Sequence, residues 1–379
     1  MKRANGEGSI KRRRNSTWEG QYTITENGKR KRCSLYGSTQ AEVRKKLSAV
    51  AYERDYGIFI KPSRMTVAEW FDIWIDQYLI NIRPSTLSHY SYHGRVWIKP
   101  NIGHYPLQKV SPPLLQQFLN HSLKKLSPKS VKNLNGVLHR CFSQAIRCGY
   151  MRSNPCNGVV LPRVEKKEMH VIPGSKIREF LEIIKTDVFG NLYFVDLFTG
   201  MRQGEIIGLT WDCVDFDRGI IRIEKQLRKD HGLAGAQYGF SATKTGQKRV
   251  IRPADEVLTV LHAEKAIQAR NALQHGASFC NAMNLVFTDE FGGHLKSHTV
   301  YSHLKKLLTQ IGLGTIRFHD LRHTYATLSI QNGDDIKTVS RNLGHATTAF
   351  TLDQYAHVTD EMKLQSAERM NSFIQSLIG

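Results

Sequence analysis

The sequence lacks the cysteine pairs, long apolar runs and internal repeats that mark several large classes of protein. Its six cysteines form no CxxC pair, which argues against a zinc cluster or a disulfide framework, and we expect buried thiols. No apolar run approaches the roughly 18 residues of a membrane-spanning helix. The first residues, MKRAN, lack the apolar core of a signal peptide. We therefore expect a globular cytoplasmic protein that has no membrane partner.

Acidic residues are also scarce. The chain of 379 residues has 33 Asp and Glu against 54 Lys and Arg, which gives a formal net charge of +21. About half of this excess lies in residues 1–64, which contain sixteen basic residues and six acidic ones. A basic solubilising tail would explain the charge, but the interleaved aromatic and apolar residues favour binding to nucleic acid. The length suits two or three domains.

Residues 1–60 have the pattern of a small β-sheet followed by a helix. Two strand-like segments, 18–25 and 31–36, flank an Asn-Gly turn and predict a hairpin. Thr39 and Glu42 then predict a capping box at the start of the helix. A basic β-ribbon can enter the major groove of DNA, so we predict a separate DNA-binding module. Its candidate DNA-binding residues are Arg12, Arg13, Arg14, Lys29, Arg30, Lys31 and Arg32.

Residues 65–160 have helical periodicity throughout. Thr66 and Glu69 predict a second capping box, and a stripe of aromatic and apolar residues follows at helical spacing over 67–78. We interpret this stripe as core rather than as a cofactor site. The Ser-Pro pair at 127–128 predicts the start of a long helix. The segment is therefore expected to be an all-α domain with basic faces.

A charged run at 163–168 predicts a linker, and residues 168–379 then combine helical and strand patterns. We expect a mixed α/β domain that is mainly helical. Within it, Arg202 lies at the start of a helix and Glu205 follows one turn later. One interpretation is a semi-buried guanidinium that acts on a ligand, and the other is an i,i+3 Arg-Glu pair of little consequence, worth a few tenths of a kcal/mol. Both interpretations stay open at this point.

Strand patterns at 219–224 and 249–252 flank a polar hairpin tip, TKTGQK, at 243–248. Lys244 on this tip is either a solvated charge or a group that reaches into a DNA groove. Lys248 lies on the same tip and is the alternative lysine.

The residues best suited to chemistry lie in 319–379, where the segment HDLRH begins at His319. His319 and Arg322 share one helical face. A zinc site of the HExxH type is disfavoured, because Asp320 replaces the glutamate and no third ligand is evident. We interpret His323 as a capping and core-packing residue. The sequence thus places an imidazole and a guanidinium on one surface.

A rigid corner follows this segment. Asp334 is predicted to cap a helix that Gly344 ends as its C′ residue, so His345 is the first side chain after the helix. Tyr355 lies ten residues further on. Each of these residues alone would more often have a structural role. Their joint occurrence in this order, after Arg202 and Lys244 in the chain, rarely arises by chance.

With the motifs Thr-Gly-Met-Arg, HDLRH and Leu-Gly-His ahead of Tyr355, the chain resembles the tyrosine recombinases (phage integrase family), especially the integrases of conjugative transposons and temperate phages. The resemblance implies three domains: an arm-type DNA-binding domain at 1–60, a core-binding domain at 65–160, and a catalytic domain with a C-terminal exchange helix at 168–379. It also implies a site-specific recombinase that cuts and rejoins DNA through a 3′-phosphotyrosine, and that integrates and excises a mobile element.

The resemblance assigns six catalytic residues and one supporting residue. A phenol with a pKa near 10 is a weak nucleophile, so it needs a base and neutralisation of the phosphate charge. Two arginines would bind the phosphate, His319 would act as base, Lys244 as general acid and His345 as a further hydrogen-bond donor. No metal, cofactor or ATP is implied. The catalytic residues are Tyr355, Arg202, Lys244, His319, Arg322 and His345, with Glu205 in support.

The implied partners are double-stranded DNA, at core and arm sites, and further copies of the chain, which would form a tetramer in the synaptic complex. An excisionase or a DNA-bending protein is a further expected partner, and the expected location is the bacterial nucleoid. The apolar face after Tyr355 packs either on its own domain or on a neighbouring protomer. Two other functions remain open: a type IB topoisomerase-like nicking-closing enzyme, and a catalytically silent DNA-binding regulator.

Overall fold

The computed structural model forms two compact units, residues 1–165 and 166–379. It describes residues 9–14, 16–26, 29–55, 60, 62–165, 169–229, 238–243, 246, 248–345 and 347–378, without the side chains of 24–26, 29, 54, 55, 356–366 and 369. In this part of the chain, no helix has the length and apolar character needed to cross a membrane.

The first unit begins with a small sheet and a helix, as the sequence predicted. The elements are β1 (Ser9–Arg12), β2 (Trp18–Glu26), β3 (Lys29–Gly37) and α1 (Gln40–Asp55). The strands form an antiparallel sheet in the order β1-β2-β3, and the predicted Asn27-Gly28 turn lies outside the described residues. Helix α1 packs closely on the sheet, because a Cβ at Gly20 would lie 2.7 Å from Val43.

The start of α1 differs slightly from the predicted capping box. Glu42 N donates to Thr39 Oγ1 at 3.2 Å, as predicted. The Glu42 carboxylate, however, accepts a hydrogen bond from the backbone of Ser38 at 2.8 Å. The acidic side chain therefore satisfies the backbone donor one residue before the predicted one.

The rest of the first unit is helical. Its elements are α2 (Val67–Ile73), α3 (Pro84–His93), α4 (Lys99–Ile102), α5 (Pro112–Leu123) and α6 (Pro128–Arg147), with π-helical turns at Trp74–Tyr78 and Gly94–Ile98 and 3₁₀ turns at Leu107–Lys109 and Pro155–Gly158. The capping box at Thr66 and Glu69 is confirmed. The stripe is core at Trp70 and Trp74, whereas Tyr78 at its end is exposed.

The second unit is mainly helical with two small sheets. Its elements are α7 (Gly174–Ile184), α8 (Gly190–Thr199), α9 (Gln203–Ile207), β4 (Val214–Asp215), β5 (Ile220–Ile223), β6 (Lys225–Lys229), β7 (Tyr238–Ala242), β8 (Arg249–Ile251), α10 (Asp255–His275), α11 (Ser297–Gln310), α12 (Phe318–Gln331), α13 (Ile336–Leu343) and α14 (Thr348–Ile378), with 3₁₀ turns at Trp211–Cys213 and Gly276–Ser278. One sheet has the order β4-β5-β8, and β6 pairs with β7.

Helix α8 lies in the core of this unit. Leu192, Tyr193, Val195 and Leu197 are buried, and the Tyr193 hydroxyl donates to the Val300 carbonyl at 2.7 Å. The buried side chains and this hydrogen bond hold α8 in place. They therefore also hold the turn at Gly200 that follows it.

Three sequence predictions need correction. The paired strands β5 and β8 are confirmed, but an additional hairpin, β6-β7, lies between them. Helix α13 is capped by Asp335 rather than Asp334, because Asp335 Oδ1 accepts from Lys337 N at 2.8 Å. The cysteines are only partly buried thiols, since Cys280 is exposed.

Candidate active site

The turn between α8 and α9 places Arg202 at the start of α9. Gly200 has a left-handed backbone conformation (φ 59°, ψ 31°), which favours glycine at a helix end. A Cβ at this position would overlap the ring of Tyr325 and lie 2.9 Å from Leu343. The glycine of the Thr-Gly-Met-Arg motif is therefore needed for its backbone conformation and for the close approach of α12 and α13.

Arg202 forms a buried ion pair with Glu205. The backbone N–H of Arg202 donates to Glu205 Oε2 at 3.0 Å, and its Nη1 donates to Oε1 at 2.7 Å. Glu205 is only 2% exposed. The pair is therefore more than a weak contact between neighbouring helical turns, because the buried Glu205 holds the Arg202 guanidinium in one orientation.

Arg249 on β8 is a site residue that sequence reasoning missed. Its Nη1 and Nη2 donate to the two oxygens of Glu205 at 3.2 and 2.6 Å. The two residues are 44 positions apart, so no local motif connects them. One signal was present: Arg249 has the same strand parity as the buried Ile251, which places an arginine on the inward face of the strand.

Glu205 remains ionised in this environment. Burial alone raises the pKa of its carboxyl group, but the hydrogen bond and charge of Arg249, together with the contacts from Arg202, outweigh burial. The pKa of Glu205 is lowered to about 2. The carboxylate is therefore a permanent anchor for two guanidinium groups.

Arg322 completes what we call the arginine cluster, Arg202, Arg249 and Arg322. Three consecutive carbonyls at the end of α13 accept hydrogen bonds from its members. Arg249 Nε donates to Asn342 O at 2.7 Å, Arg322 Nη2 to Leu343 O at 2.6 Å, and Arg202 Nη2 to Gly344 O at 3.1 Å. The last carbonyls of a helix lack partners within it and carry partial negative charge, so cations suit this position.

The arginine cluster is rich in positive charge. Burial, followed by repulsion from the other two guanidiniums, lowers the pKa of Arg322 to about 9, which leaves it protonated at neutral pH. The nearby Asp196 is fully buried, and burial raises its pKa well above the usual range. Asp196 therefore does not neutralise the cluster, and three cations face one carboxylate. This arrangement suits an anion with several oxygens, such as a phosphate diester.

Tyr355 lies in α14 at a break in the helix. Its backbone is not helical (φ −116°, ψ 24°), and its side chain is 1% exposed. It packs against Ala326, Val339 and Leu343 among other apolar residues. Burial raises the pKa of the phenol to about 12, and the positive charge of Arg322 opposes this effect. The phenol is therefore protonated and lies within the field of the arginine cluster.

His323 is the imidazole that contacts this phenol. His323 Nδ1 lies 2.8 Å from Tyr355 Oη. The capping part of the His323 prediction is wrong, since Asp320 accepts the capping hydrogen bond from the backbone N–H of Arg317 at 2.8 Å; the half-buried His323 ring does pack against the buried Tyr355. No pattern within the sequence connected His323 with Tyr355, which is 32 residues away.

His319 lies beside His323, one turn earlier on α12. The two rings are edge-on, with centroids 5.0 Å apart, and His319 is exposed to solvent. Its pKa is lowered because the surrounding protein displaces water from part of the ring and because His323 and Arg322 add positive charge. His319 is thus placed at the open side of the site, as an uncharged imidazole.

His345 follows Gly344, whose left-handed conformation (φ 63°, ψ 47°) ends α13 as predicted. Its Nδ1 lies 2.8 Å from the hydroxyl of the buried Thr351, a contact that the sequence did not predict. Burial, followed by the charges of Arg322 and Arg202, lowers the pKa of His345 to about 3. The ring is neutral, and Thr351 occupies Nδ1 and leaves Nε2 for a ligand.

Lys244, the predicted hairpin lysine, lies outside the described residues. Lys248, the alternative lysine, is exposed, and its Nζ lies 3.1 Å from Glu224 Oε2. Thr243 before the tip is buried, and its carbonyl accepts a hydrogen bond from Gly246 N at 2.9 Å.

The predicted DNA-binding residues of the first unit lie on or beside its sheet. Arg13 donates to Glu19 at 2.9 Å and lies over the Tyr36 ring at 5.1 Å, so two contacts position its guanidinium. The side chain of Lys29 lies outside the described residues. The remaining five are exposed: Arg12, Arg14, Arg30, Lys31 and Arg32.

Comparisons with known proteins show what the whole chain is similar to. The chain is 27% identical to a "Tyrosine recombinase XerC-like" protein of Caldanaerobacter subterraneus subsp. tengcongensis over 91% of this chain and 93% of that protein. Its fold is similar to the Tn1549 transposon integrase in complex with a circular intermediate DNA (TM-score 0.68, 21% identity, 81% and 99% of the two chains). It is also similar to a lambda integrase tetramer bound to a Holliday junction (TM-score 0.61, 18% identity, 93% and 97%).

Two family profiles match the sequence itself. A profile described as "Phage integrase, N-terminal SAM-like domain" matches residues 66–123. A second, described as "Phage integrase family", matches residues 172–362, which is half of the chain and includes Arg202 and Tyr355. The chain belongs to the phage integrase family.

Proposed function

We propose that this chain is a site-specific DNA recombinase in which Tyr355 attacks a DNA phosphodiester and forms a 3′-phosphotyrosine. One observation carries the proposal: a buried phenol lies in the field of an arginine cluster on the same unit, with a neutral imidazole 2.8 Å from its hydroxyl. This arrangement supplies a nucleophile, a proton acceptor and neutralisation of the phosphate charge.

In the proposed reaction, Arg202 and Arg322 bind the non-bridging oxygens of the phosphate. Each guanidinium retains N–H groups beyond those used on protein carbonyls, so it can still donate to a ligand. These bonds strengthen as charge develops on the pentacoordinate phosphorus. His345 donates to the phosphate from Nε2, and the exposed His319 contacts it from the solvent side.

Lys244 is proposed to protonate the departing 5′ oxygen, which completes the cleavage step. The phosphotyrosine conserves the energy of the broken phosphodiester bond. Attack on it by a 5′ hydroxyl of another strand therefore rejoins the DNA without ATP. Reaction at two duplexes would integrate or excise a mobile element of the conjugative transposon or prophage type.

We propose that three domains share the recognition of DNA: residues 1–60 bind arm sites, 65–160 bind core sites and 168–379 carry the chemistry. The exposed basic residues on the first sheet support the first assignment. An excisionase or DNA-bending protein would control direction. Because DNA is the substrate, the protein is expected to act at the nucleoid of a bacterium.

We also propose that four copies act together and that the end of α14 docks on a neighbouring protomer. The side chains of Met370, Phe373, Ile374 and Leu377 are exposed in the single chain, so their apolar surface is free for such an interface. The lambda integrase relative forms a tetramer on a Holliday junction. Docking in trans is therefore favoured over packing on the parent domain.

The test uses a library of DNA duplexes that carry a nick beside a randomised segment. The nick lets a short strand escape after cleavage and traps the covalent adduct. We expect adducts that survive denaturation and that vanish in Tyr355→Phe, and sequencing their DNA would define the substrate. Absence of adducts with the wild-type chain contradicts the function, and adducts that persist in Tyr355→Phe contradict the nucleophile.

Pairs of the recovered sites then separate recombination from the alternative activities. A recombinase joins the two sites, whereas a topoisomerase-like enzyme relaxes supercoiled DNA and yields no recombinants. A silent regulator would bind the sites and form no adduct.

A further inference from the structure

We propose that His323 is a catalytic residue that accepts the proton of Tyr355 as the phenol attacks the phosphate. This inference rests on the proposed function and moves the role of base from His319 to His323. It is carried by the 2.8 Å separation of His323 Nδ1 and Tyr355 Oη, which is hydrogen-bonding distance in the free chain.

The contact is held by packing on both sides. Tyr355 is 1% exposed and packs against side chains of α12 and α13. His323 is half-buried and lies directly after Arg322, whose Nη1 donates to Gly200 O at 2.8 Å and fixes this part of α12. In the tautomer with its proton on Nε2, His323 presents the Nδ1 lone pair to the phenol hydroxyl. The two atoms between which the proton would move are therefore already in contact before DNA binds.

Other groups near the phenol are less suited to accept its proton. Arg322 is a cation and has no lone pair to offer. The Nδ1 atom of His345 already contacts Thr351 Oγ1 at 2.8 Å. In the part of the chain that the structure describes, no hydrogen bond joins His319 to Tyr355, and His319 lies at the solvent-exposed side of the site. His323 is the imidazole with both the position and a free acceptor atom.

The protonation states suit a concerted transfer. Burial lowers the pKa of His323, with the charges of Arg322 and Arg317 adding to this effect and that of Asp320 opposing it. The imidazole is therefore neutral at pH 7. Because burial raises the pKa of Tyr355 to about 12, free phenolate would be rare. The proton must move while the oxygen bonds to phosphorus and loses its basicity.

The proposed step forms one P–O bond, breaks another and transfers two protons. Tyr355 Oη bonds to phosphorus while its proton passes to His323 Nδ1. The bond from phosphorus to the 5′ oxygen breaks, and that oxygen keeps the electron pair and takes a proton from Lys244. The negative charge of Asp320 favours the imidazolium form of His323. In the rejoining step, His323 returns its proton to Tyr355.

The first test replaces His323 with asparagine and with alanine in the full chain. Asparagine can keep a hydrogen bond to the phenol but is not a base, so it separates orientation from proton transfer. We expect His323→Asn to slow single-turnover cleavage by about 100-fold or more, the usual range for loss of a general base. Binding of the recovered nicked duplex should be retained. A wild-type rate in His323→Asn would overturn the assignment.

Free imidazole provides a second readout that a structural role would not move. The cavity in His323→Ala gives imidazole access to the phenol, and we expect added imidazole to raise the cleavage rate in a saturable manner. His319→Ala, the matched variant one turn away, should show no such rescue. Rescue of His319→Ala instead of His323→Ala would return the role of base to His319 and overturn the proposal.

A duplex with sulfur at the bridging 5′ position separates base from acid. A thiolate leaves without a proton, so this substrate should restore cleavage by Lys244→Ala but not by His323→Asn. Restoration in His323→Asn would place His323 on the leaving group and contradict the proposal. If the wild-type chain forms adducts through Tyr355 and only the His323 results fail, the proposed function stands and this inference falls.

Discussion

Arg249 holds both oxygens of the buried Glu205 carboxylate, with Nη1 at 3.2 Å and Nη2 at 2.6 Å. Its Nε donates to Asn342 O at 2.7 Å, three residues before His345. One side chain thus connects β8 with the carboxylate that holds Arg202 and with the end of α13, directly before His345. The contacts of Arg249 therefore fix the Glu205 carboxylate and the end of α13 relative to each other.

The first prediction concerns this connection. Arg249→Ala leaves Glu205 with one guanidinium and leaves Asn342 O without its donor, so we expect destabilisation of about 2–4 kcal/mol and slower cleavage. Arg249→Lys should recover part of the stability but little of the cleavage rate, because one ammonium group cannot bridge both partners. Thermal unfolding and single-turnover cleavage at saturating DNA measure the two effects.

Arg252→Ala is the matched control for Arg249, since Arg252 is an exposed arginine just beyond the same strand. It should change neither stability nor the cleavage rate at saturating DNA. If Arg249→Ala behaves like this control, the connection through Arg249 has no energetic role.

The second prediction concerns the pH dependence of stability at Glu205. Its pKa is lowered from 4.5 to about 2, so its ionisation stabilises the fold above pH 4.5 and this contribution is lost as pH falls through about 2. We expect Glu205→Gln to destabilise the chain by about 3 kcal/mol near pH 7, with a smaller difference at acid pH. Denaturant unfolding of both proteins across this range gives the difference. A difference that grows towards acid pH would contradict the assigned charge state.

The third prediction separates binding from chemistry at Arg202. The donors of lysine all lie on one nitrogen, so lysine cannot reproduce the separate contacts of Nη1 with Glu205 and of Nη2 with Gly344 O and also bind a phosphate oxygen. We expect Arg202→Lys to reduce cleavage by about 100-fold or more while binding of DNA is nearly unchanged. Arg341→Lys, at an exposed position of α13, is the control for the same chemical change. Equal losses of binding and cleavage in Arg202→Lys would show that Arg202 acts on DNA affinity alone.

The sequence was sufficient to predict the positions of those site residues that depend on local backbone geometry alone. Arg202 follows a helix-ending Gly200, and His345 follows a helix-ending Gly344, so glycine and helical periodicity placed both at helix ends. Neither placement required knowledge of the tertiary structure. The predicted β5-β8 pair was also found, although the additional hairpin between its strands was not expected.

Contacts between distant elements could not be obtained in this way. The bond from Arg249 to Glu205 depends on how a strand packs against α9, and the contact of His323 with Tyr355 depends on how α14 crosses α12. Neither of these packing arrangements can be recognised from the spacing of apolar residues in the sequence. Thr351 shows the limit most clearly, because its buried hydroxyl orients His345 although threonine in a helix carries no functional signal.

The fourth prediction uses two glycines with opposite expectations. Gly200→Ala places a Cβ against Tyr325 in a left-handed conformation, so we expect a loss of about 2 kcal/mol or more in stability. Gly136 lies in the middle of α6, and an added Cβ would meet nothing within 4 Å beyond its chain neighbours and the backbone of its own helix, so Gly136→Ala should stabilise the chain by about 0.5–1 kcal/mol. Thermal unfolding of each variant gives the sign. Equal shifts of the two variants would contradict the proposed close approach at Gly200.

The last prediction concerns the end of α14. Because Phe373 and Leu377 are exposed and apolar, their replacement by serine should remove an interface between protomers without disturbing the domain that carries them. We expect the double variant, like deletion of residues 360–379, to bind a single recovered site normally and to lose the slower gel-shift complex that contains two duplexes. Gln375→Ser, an exposed polar position between them, should retain both complexes. Docking in trans is contradicted if the double variant still forms the two-duplex complex, because that complex would then assemble without the apolar face.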